Sequence, residues 1–285
     1  MKRAIVVYLE KKRDLLLQFG CLYKSFRYIK SKDTDLIVYG SKDALQFISD
    51  IDCIKVEYNP PPTNYPYLNS IRFLTDEKSS ILNRYKFILR TDLDTFLTPS
   101  WNSFYPNNFT VGRGHYVQNE FVREKLLNLS HQFGLDHKGM HNIGTSHYGD
   151  PELICSVCEV STVISIYLLT NDFKEYEGLW PGWYKGVITM YSNEIAINHL
   201  LEKITINSDL LDYSSSSNHS IKNHPHIHCL HTTKPFSKFH FSSGLYNHVK
   251  MDSLNIEKVN DYCMFISLKA VEEFDFMKSL LFTES

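Results

Sequence analysis

The stretch Phe87-Ile88-Leu89-Arg90-Thr91-Asp92-Leu93-Asp94-Thr95-Phe96 decides how this chain is read. An apolar run of strand character passes directly into Asp-x-Asp, which places two carboxylates one residue apart at a strand end. Such a pair can converge on one hard cation, and Mg2+ or Mn2+ takes oxygen ligands while keeping positions free for a diphosphate. The same residues also suit a strand closed by an Asx turn. The context favours the cation, because this strand is the fourth of an alternating series.

Upstream, residues 4–8 form a short β-branched run and residues 14–29 carry apolar side chains at helical spacing (Leu15, Leu16, Phe19, Leu22, Tyr23, Phe26). Residues 36–39 predict a second strand, closed by Gly40. A helix follows from Ser41 through Ile48, with Ser41 or Asp43 as its N-cap. Residues 53–58 predict a third strand, stopped by Pro60-Pro61-Pro62. Residues 65–83 suggest a helix with a break near Asp76, and residues 85–89 the fourth strand. Strands separated by helices predict an α/β fold, Rossmann-like, with a mostly parallel mixed sheet flanked by helices and its ligand site beyond the carboxyl ends of the strands.

A length of 285 residues and a hydrophobic share of 43% are ample for one large domain with a buried core. The aromatic share of 14% argues against disorder, and a net charge of −2 gives no sign of nucleic-acid binding by bulk electrostatics. The start of the chain is too short in apolar residues for a secretory segment. The stretch 160–169 is interrupted by Ser161, Thr162 and Ser165, so no membrane span is expected. Six cysteines in so long a chain do not make a disulfide framework. A soluble, cytoplasmic protein is the expectation.

Beyond residue 95 the pattern loosens. Residues 1–97 form the expected nucleotide-binding half of a single domain spanning 1–285, and residues 98–285 the acceptor-binding half. Residues 155–170 fit a strand or a buried helix, residues 192–203 a helix, and residues 212–223, with four serines in a row, a mobile loop. Gly112-Arg113-Gly114 suggests a turn. Seven of the thirteen histidines lie between 219 and 248, and His226 and His228 alternate as on one side of a strand. A neutral imidazole is a good third ligand for the ion, and Lys234 could lend positive charge to a phosphate. Cys155-Ser156-Val157-Cys158 could close a structural zinc site with one of these histidines.

The strand-end Asp92-Leu93-Asp94 after a β/α half resembles the GT-A glycosyltransferases. The segment His228-Cys229-Leu230-His231-Thr232-Thr233-Lys234-Pro235-Phe236 is similar to the H-x-x-G-x-x-K-P-W signature of the glycogenin and galactosyltransferase-like family eight, with His231 in place of Gly and Phe236 in place of Trp. Asn142-Ile143-Gly144 resembles that family's N-x-G element. Asn193-Glu194-Ile195-Ala196-Ile197-Asn198 resembles its D-Q-x-x-x-N element, with Glu194 in place of Gln. Arg72 lies where the family has a donor-supporting arginine. Residues 183–199 and 236–241 are also similar to uncharacterised GT-A-like proteins of algae, oomycetes and large algal viruses.

The resemblance implies a metal-dependent glycosyltransferase, a hexosyl- or pentosyltransferase acting on a nucleotide sugar, a UDP-sugar first, with a carbohydrate or glycoconjugate acceptor, a viral glycan among the candidates. Asp92, Asp94 and His228 or His231 would hold Mn2+ or Mg2+; Tyr8, Arg72, Asp92 and Lys234 would border the donor. A family-eight-like enzyme retains configuration, whereas an inverting one needs a carboxylate base, for which Asp150, Glu152, Glu159 and Glu194 are the candidates, Glu194 first. Trp180, Trp183, Tyr184 and Tyr191 offer flat faces to sugar rings. Two other functions use the same residues: a metal-dependent phosphoryl-transfer enzyme or nuclease, and a zinc-stabilised carbohydrate-binding module.

Overall fold

The computed structural model describes residues 2–282. β1 (Arg3–Leu9), α1 (Arg13–Ile29), β2 (Thr34–Gly40), α2 (Lys42–Phe47) and β3 (Ile54–Glu57) follow one another in the predicted alternation. The segment expected as one helix over 65–83 is instead a series of tight 3-10 turns around α3 (Asn69–Arg72). It breaks at Asp76, whose backbone is extended and whose carboxylate caps the N–H of Lys78. β4 (Phe87–Arg90) and β5 (Thr95–Leu97) flank the Asp-x-Asp. The chain continues through β6 (Phe109–Arg113), α4 (Glu120–Gln132), β7 (Ile143–Gly149), α5 (Pro151–Thr170) and α6 (Ile188–Leu200). It ends with β8 (Ile204–Ile206), β9 (Tyr213–Ser214), β10 (His226–His228), α7 (Lys238–Ser242), α8 (Val259–Glu273) and α9 (Asp275–Phe282).

Seven strands form one sheet in the order β3-β2-β1-β4-β7-β6-β8, and within it β7 alone runs against its neighbours. The chain builds outward from β1 to β3, then crosses back to place β4 on the other side of β1. That reversal opens a crevice at the carboxyl ends of β1 and β4, where Tyr8 and Asp92 stand. The run 4–7 of β1 is apolar because both its faces are covered: Ala4 and Val6 belong to the core that includes α5 and α6, and Ile5 and Val7, with Leu9, to the core on α1. The nucleotide-binding and acceptor-binding halves expected from sequence share this sheet, since β4 pairs directly with β7.

Residues 155–170, which fit either a strand or a helix, lie in the helix α5. Asp150 caps its first turn, Pro151 sits at its first position, and the hydroxyls of Ser156, Thr162 and Thr170 bond the carbonyls four residues back. Those bonds satisfy the hydroxyls within an otherwise apolar helix, whose β-branched residues leave strand and helix both open in sequence. By length and composition α5 could cross a bilayer, contrary to the sequence expectation, but it packs against α6, α3 and the sheet, and half of its apolar window is buried. Gly112 is part of β6 rather than of a turn. The stretch expected as a mobile loop over 212–223 contains β9, and Ser215 is buried, its hydroxyl donating to the carbonyl of Phe236.

Arg3 locks the amino-terminal edge of the sheet. Fully buried, it donates to the carbonyls of Trp101 (3.1 Å) and Phe104 (2.6 Å) and to the Tyr148 hydroxyl (3.2 Å), and it pairs with Asp33 at 2.9 Å. Arg3→Met leaves those acceptors buried without donors. It should cost about 3 kcal/mol, read as a lower urea midpoint at an unchanged slope; a loss under about 1 kcal/mol would contradict this account.

Candidate active site

A second, smaller sheet in the order β5-β10-β9 brings the site together. β10 runs antiparallel to β5 with His228 opposite Thr95, and the N–H of Cys229 donates to the carbonyl of Asp94 at 2.9 Å. This register sets the imidazole of His228 beside Asp94, its Nε2 3.3 Å from Oδ1. One ligand atom from each of Asp92, Asp94 and His228 lies within 4.8 Å of the other two. Two carboxylates and an imidazole in that space suit a divalent cation.

The charges around the group are paired. Arg90, buried at the end of β4, donates to Asp92 at 3.0 Å and is itself held by the carbonyls of Ser70 and Thr145. Lys238, the first residue of α7, forms a short ion pair with Asp94. Burial alone would raise the Asp94 carboxyl, but the charges of His228 and Lys238 reverse this and hold it far below the usual carboxylate range. Burial opposes the charge on His228 too, and Asp94 and Asp212 overcome it, keeping the ring protonated well above its ordinary pKa.

Behind His228 the hydrogens can be assigned from two fixed ends. The backbone N–H of Asp212 can only donate, and it meets Nδ1 of His226 at 3.1 Å, so the neutral ring of His226 carries its hydrogen on Nε2. Nε2–H donates to the Thr91 hydroxyl (2.9 Å), Thr91 to Ser146 (2.9 Å), and Ser146 to Oδ1 of Asp212 (2.6 Å). His226 is therefore a buried donor in a closed network, its pKa pushed down to about 4, chiefly by burial.

The remaining sequence candidates fall in several places. Tyr8 ends β1 at the switch point, its ring parallel to Phe73 at 6.0 Å and edge-on to Tyr58 at 5.9 Å. Arg72 is half-buried on α3, close enough for its charge to act on the Tyr58 phenol. His231 is exposed and packs its ring on Phe239 at 4.6 Å, outside the acidic group. Lys234 is exposed as well, and the lysine beside Asp94 is Lys238. Asp150 is spent as the cap of α5, accepting from the N–H groups of Glu152 and Leu153. Among the described residues no metal-capable group includes a cysteine, so the CxxC is not brought together with any of the histidines as a zinc site would require. Trp183 and Tyr191 are stacked inside the protein at 4.3 Å, which leaves Trp180 and Tyr184 of the four aromatics at the surface side.

Glu194 is no free base either. Its Oε2 accepts from the Tyr116 hydroxyl (2.7 Å) and the N–H of Asn142 (2.8 Å), and its Oε1 from Nδ1 of His141 (2.7 Å). His137 completes this second group with Nε2 at 3.5 Å. The N–H of Gly139 donates to Nδ1 of His137, so the neutral ring turns an N–H, not a lone pair, toward Glu194. The arrangement is a carboxylate clamp that ties α6 to the loop before β7. Asn198, one turn on, grips the same loop through Lys138 and Met140.

The fold so defined is that of the GT-A glycosyltransferases. The apo structure of the WbbM bifunctional glycosyltransferase matches 98% of this chain with a TM-score of 0.52 at 10% identity. The chain spans 51% of that protein's length. Apo mouse xyloside xylosyltransferase 1 is similar over 74% of this chain and 86% of its own, with a TM-score of 0.41 at 13% identity. No curated protein matches the chain in sequence. Residues 57–278 match the family described as "Domain of unknown function (DUF7164)", and the chain belongs to that family.

Glu194→Gln should destabilise the protein by about 2–3 kcal/mol at pH 7, because the neutral amide accepts more weakly than the carboxylate and must set its N–H either against the Asn142 N–H, which can only donate, or against a His141 ring that has given up its Nδ1 hydrogen. Burial raises the Glu194 carboxyl but its donors outweigh that and depress it. Its contribution is therefore complete above the ordinary glutamate pKa and is lost as pH falls through the depressed value. Urea titrations should show the gap between wild type and variant narrowing below about pH 4. A gap that widened there would contradict the clamp.

Proposed function

We propose that the chain is a metal-dependent glycosyltransferase that takes a sugar from a nucleoside diphosphate donor, a UDP-sugar first, and passes it to a carbohydrate acceptor. The observation that carries this reading is the convergence of Asp92, Asp94 and His228 at the carboxyl end of β4, beside the switch point of a GT-A fold. A donor of this kind reacts by breaking the bond between the anomeric carbon and a phosphate oxygen, and the electron pair leaves with the diphosphate. The acceptor oxygen forms the new bond to that carbon and gives up its proton. Mn2+ or Mg2+ bound by the three side chains would supply charge against the departing diphosphate.

The protein's own groups complete the arrangement. Lys238 brings an ammonium to the same place, the role expected of Lys234 from sequence. Tyr8 borders the crevice where the base and ribose of the donor are proposed to lie, with Arg72 nearby on α3. Of the carboxylates offered as an acceptor base, Asp150 is engaged in a helix cap and Glu194 in its clamp, and Glu152 and Glu159 lie exposed on α5. This supports an outcome that needs no strong base, retention of configuration, in line with the family-eight resemblance. For the acceptor we propose the groove of about 600 Å3 lined by Phe121, Lys125, Asp172, Tyr176, Leu179 and Trp183, which offers aromatic faces beside a charged pair.

Isothermal titration should show UDP binding that requires Mn2+. Asp92→Ala combined with Asp94→Ala should abolish it, and Lys238→Ala should weaken it by about 10- to 100-fold, the worth of a charged hydrogen bond. Lys234→Ala should change it less than about twofold. UDP binding that is indifferent to Mn2+ and to the aspartates would overturn the reading.

A further inference from the structure

His228 is a ligand only if the correct ring nitrogen faces the ion, and an imidazole can present either. Its Nδ1 lies 3.1 Å from Oδ1 of Asp212. A carboxylate accepts and does not donate, so Nδ1 must carry a hydrogen, and Nε2 is the nitrogen directed at Asp94. Asp212 is not among the residues grouped around the ion position, and it is buried, its side chain 3% exposed.

Asp212 is itself built in. Its backbone φ of 60° is in the left-handed region, unusual for a residue with a side chain. Its Oδ1 accepts from the hydroxyl of Ser146 (2.6 Å) and from His228, and its Oδ2 from the backbone N–H of Ser146 (3.1 Å). Two glycines leave room for it: a Cβ on Gly112 would meet Oδ2 at 2.5 Å, and one on Gly144 would meet it at 2.6 Å. A carboxylate held by two donors of Ser146 inside a glycine cradle, with Oδ1 also on one imidazole nitrogen, is the arrangement that orients metal-binding histidines.

We propose that Asp212 is a positioning residue: it holds the Nδ1 hydrogen of His228, so that the proton released to solvent when a divalent cation binds is the one on Nε2, and Nε2 is the nitrogen turned toward the cation shared with Asp92 and Asp94. This rests on the cation reading above, and the experiment separates the two. Mn2+ is titrated into the protein without nucleotide, and free Mn2+ is followed by electron paramagnetic resonance. The wild type should bind; a wild type that leaves Mn2+ free overturns the cation reading itself.

Asp212→Asn, folded as judged by circular dichroism in chelator, should bind about 10- to 100-fold more weakly, because its amide can set an N–H against Nδ1 and favour the opposite form. Ser146→Ala removes one of the donors that hold Asp212 and keeps the carboxylate, and it should weaken binding by about 2- to 10-fold. In Mg2+-loaded protein labelled with 15N-histidine, long-range correlations should show Nδ1–H on His228 in the wild type and lose it in Asp212→Asn. Wild-type Mn2+ affinity in a folded Asp212→Asn overturns the proposal. If that variant does not fold, wild-type affinity in Ser146→Ala overturns it in its place.

Discussion

One charged ring held between two buried carboxylates organises this molecule. His228 faces Asp94 with one nitrogen and Asp212 with the other, at 3.3 and 3.1 Å, and all three side chains are largely buried. Removing charges from water costs several kcal/mol per ion, and the cost is tolerable only where partners meet them in good geometry. Arg90, Lys238, Ser146 and the ring itself provide those partners. The segments that carry them come from β4, β7, β9, β10 and α7, so the polar centre and the convergence of five separate parts of the chain are the same fact.

Backbone register makes that convergence possible. β10 lies between β5 and β9, with His228 opposite Thr95 on one side and Ser214 on the other. This sets the ring between the residue before β5 and the residue near the start of β9. The sheet gives way where Asp212 enters. β6 and β7 pair irregularly between Val111 and Arg113, and Gly112 and Gly144 leave the volume that the carboxylate fills. An irregularity of this kind is common where strands border a site.

The parts of this arrangement that depend on nearest neighbours in the chain were legible in sequence. The alternation over the first ninety residues predicts the four parallel strands, and the apolar run into Asp92-Leu93-Asp94 predicts the pair at a strand end. His228 was legible because alternation with His226 marks a strand, although the two rings differ in work: one faces the acidic pair and the other lies in the proton network behind it. Asp212 was hidden by its surroundings, a serine-rich stretch that resembles a loop, because nothing local reveals that Gly112 and Gly144, far upstream in the chain, make room for it. Lys238 was missed for a related reason. Similarity of spacing pointed to Lys234, whereas residues 230–235 lie largely at the surface and the chain comes back to the Asp94 side chain where α7 begins. Glu194 and Asp150 have the chemistry of a base, and only their donors show that this chemistry is already in use.

In the form described, the centre balances its own charge. The carboxylates of Asp92, Asp94 and Asp212 are met by Arg90, Lys238 and His228. On the proposed reading, a divalent cation entering between Asp92, Asp94 and His228 adds positive charge to a group that is already neutral, and it meets Lys238 at one of the same carboxylates. In a poorly solvated space that excess is unfavourable unless an anion arrives with it. A diphosphate is such an anion: it ligates the ion and gives the ammonium of Lys238 a second partner. Ion and nucleotide then reinforce one another: the protein binds the ion alone through its three side chains, and binds it more tightly once the diphosphate offsets the added charge.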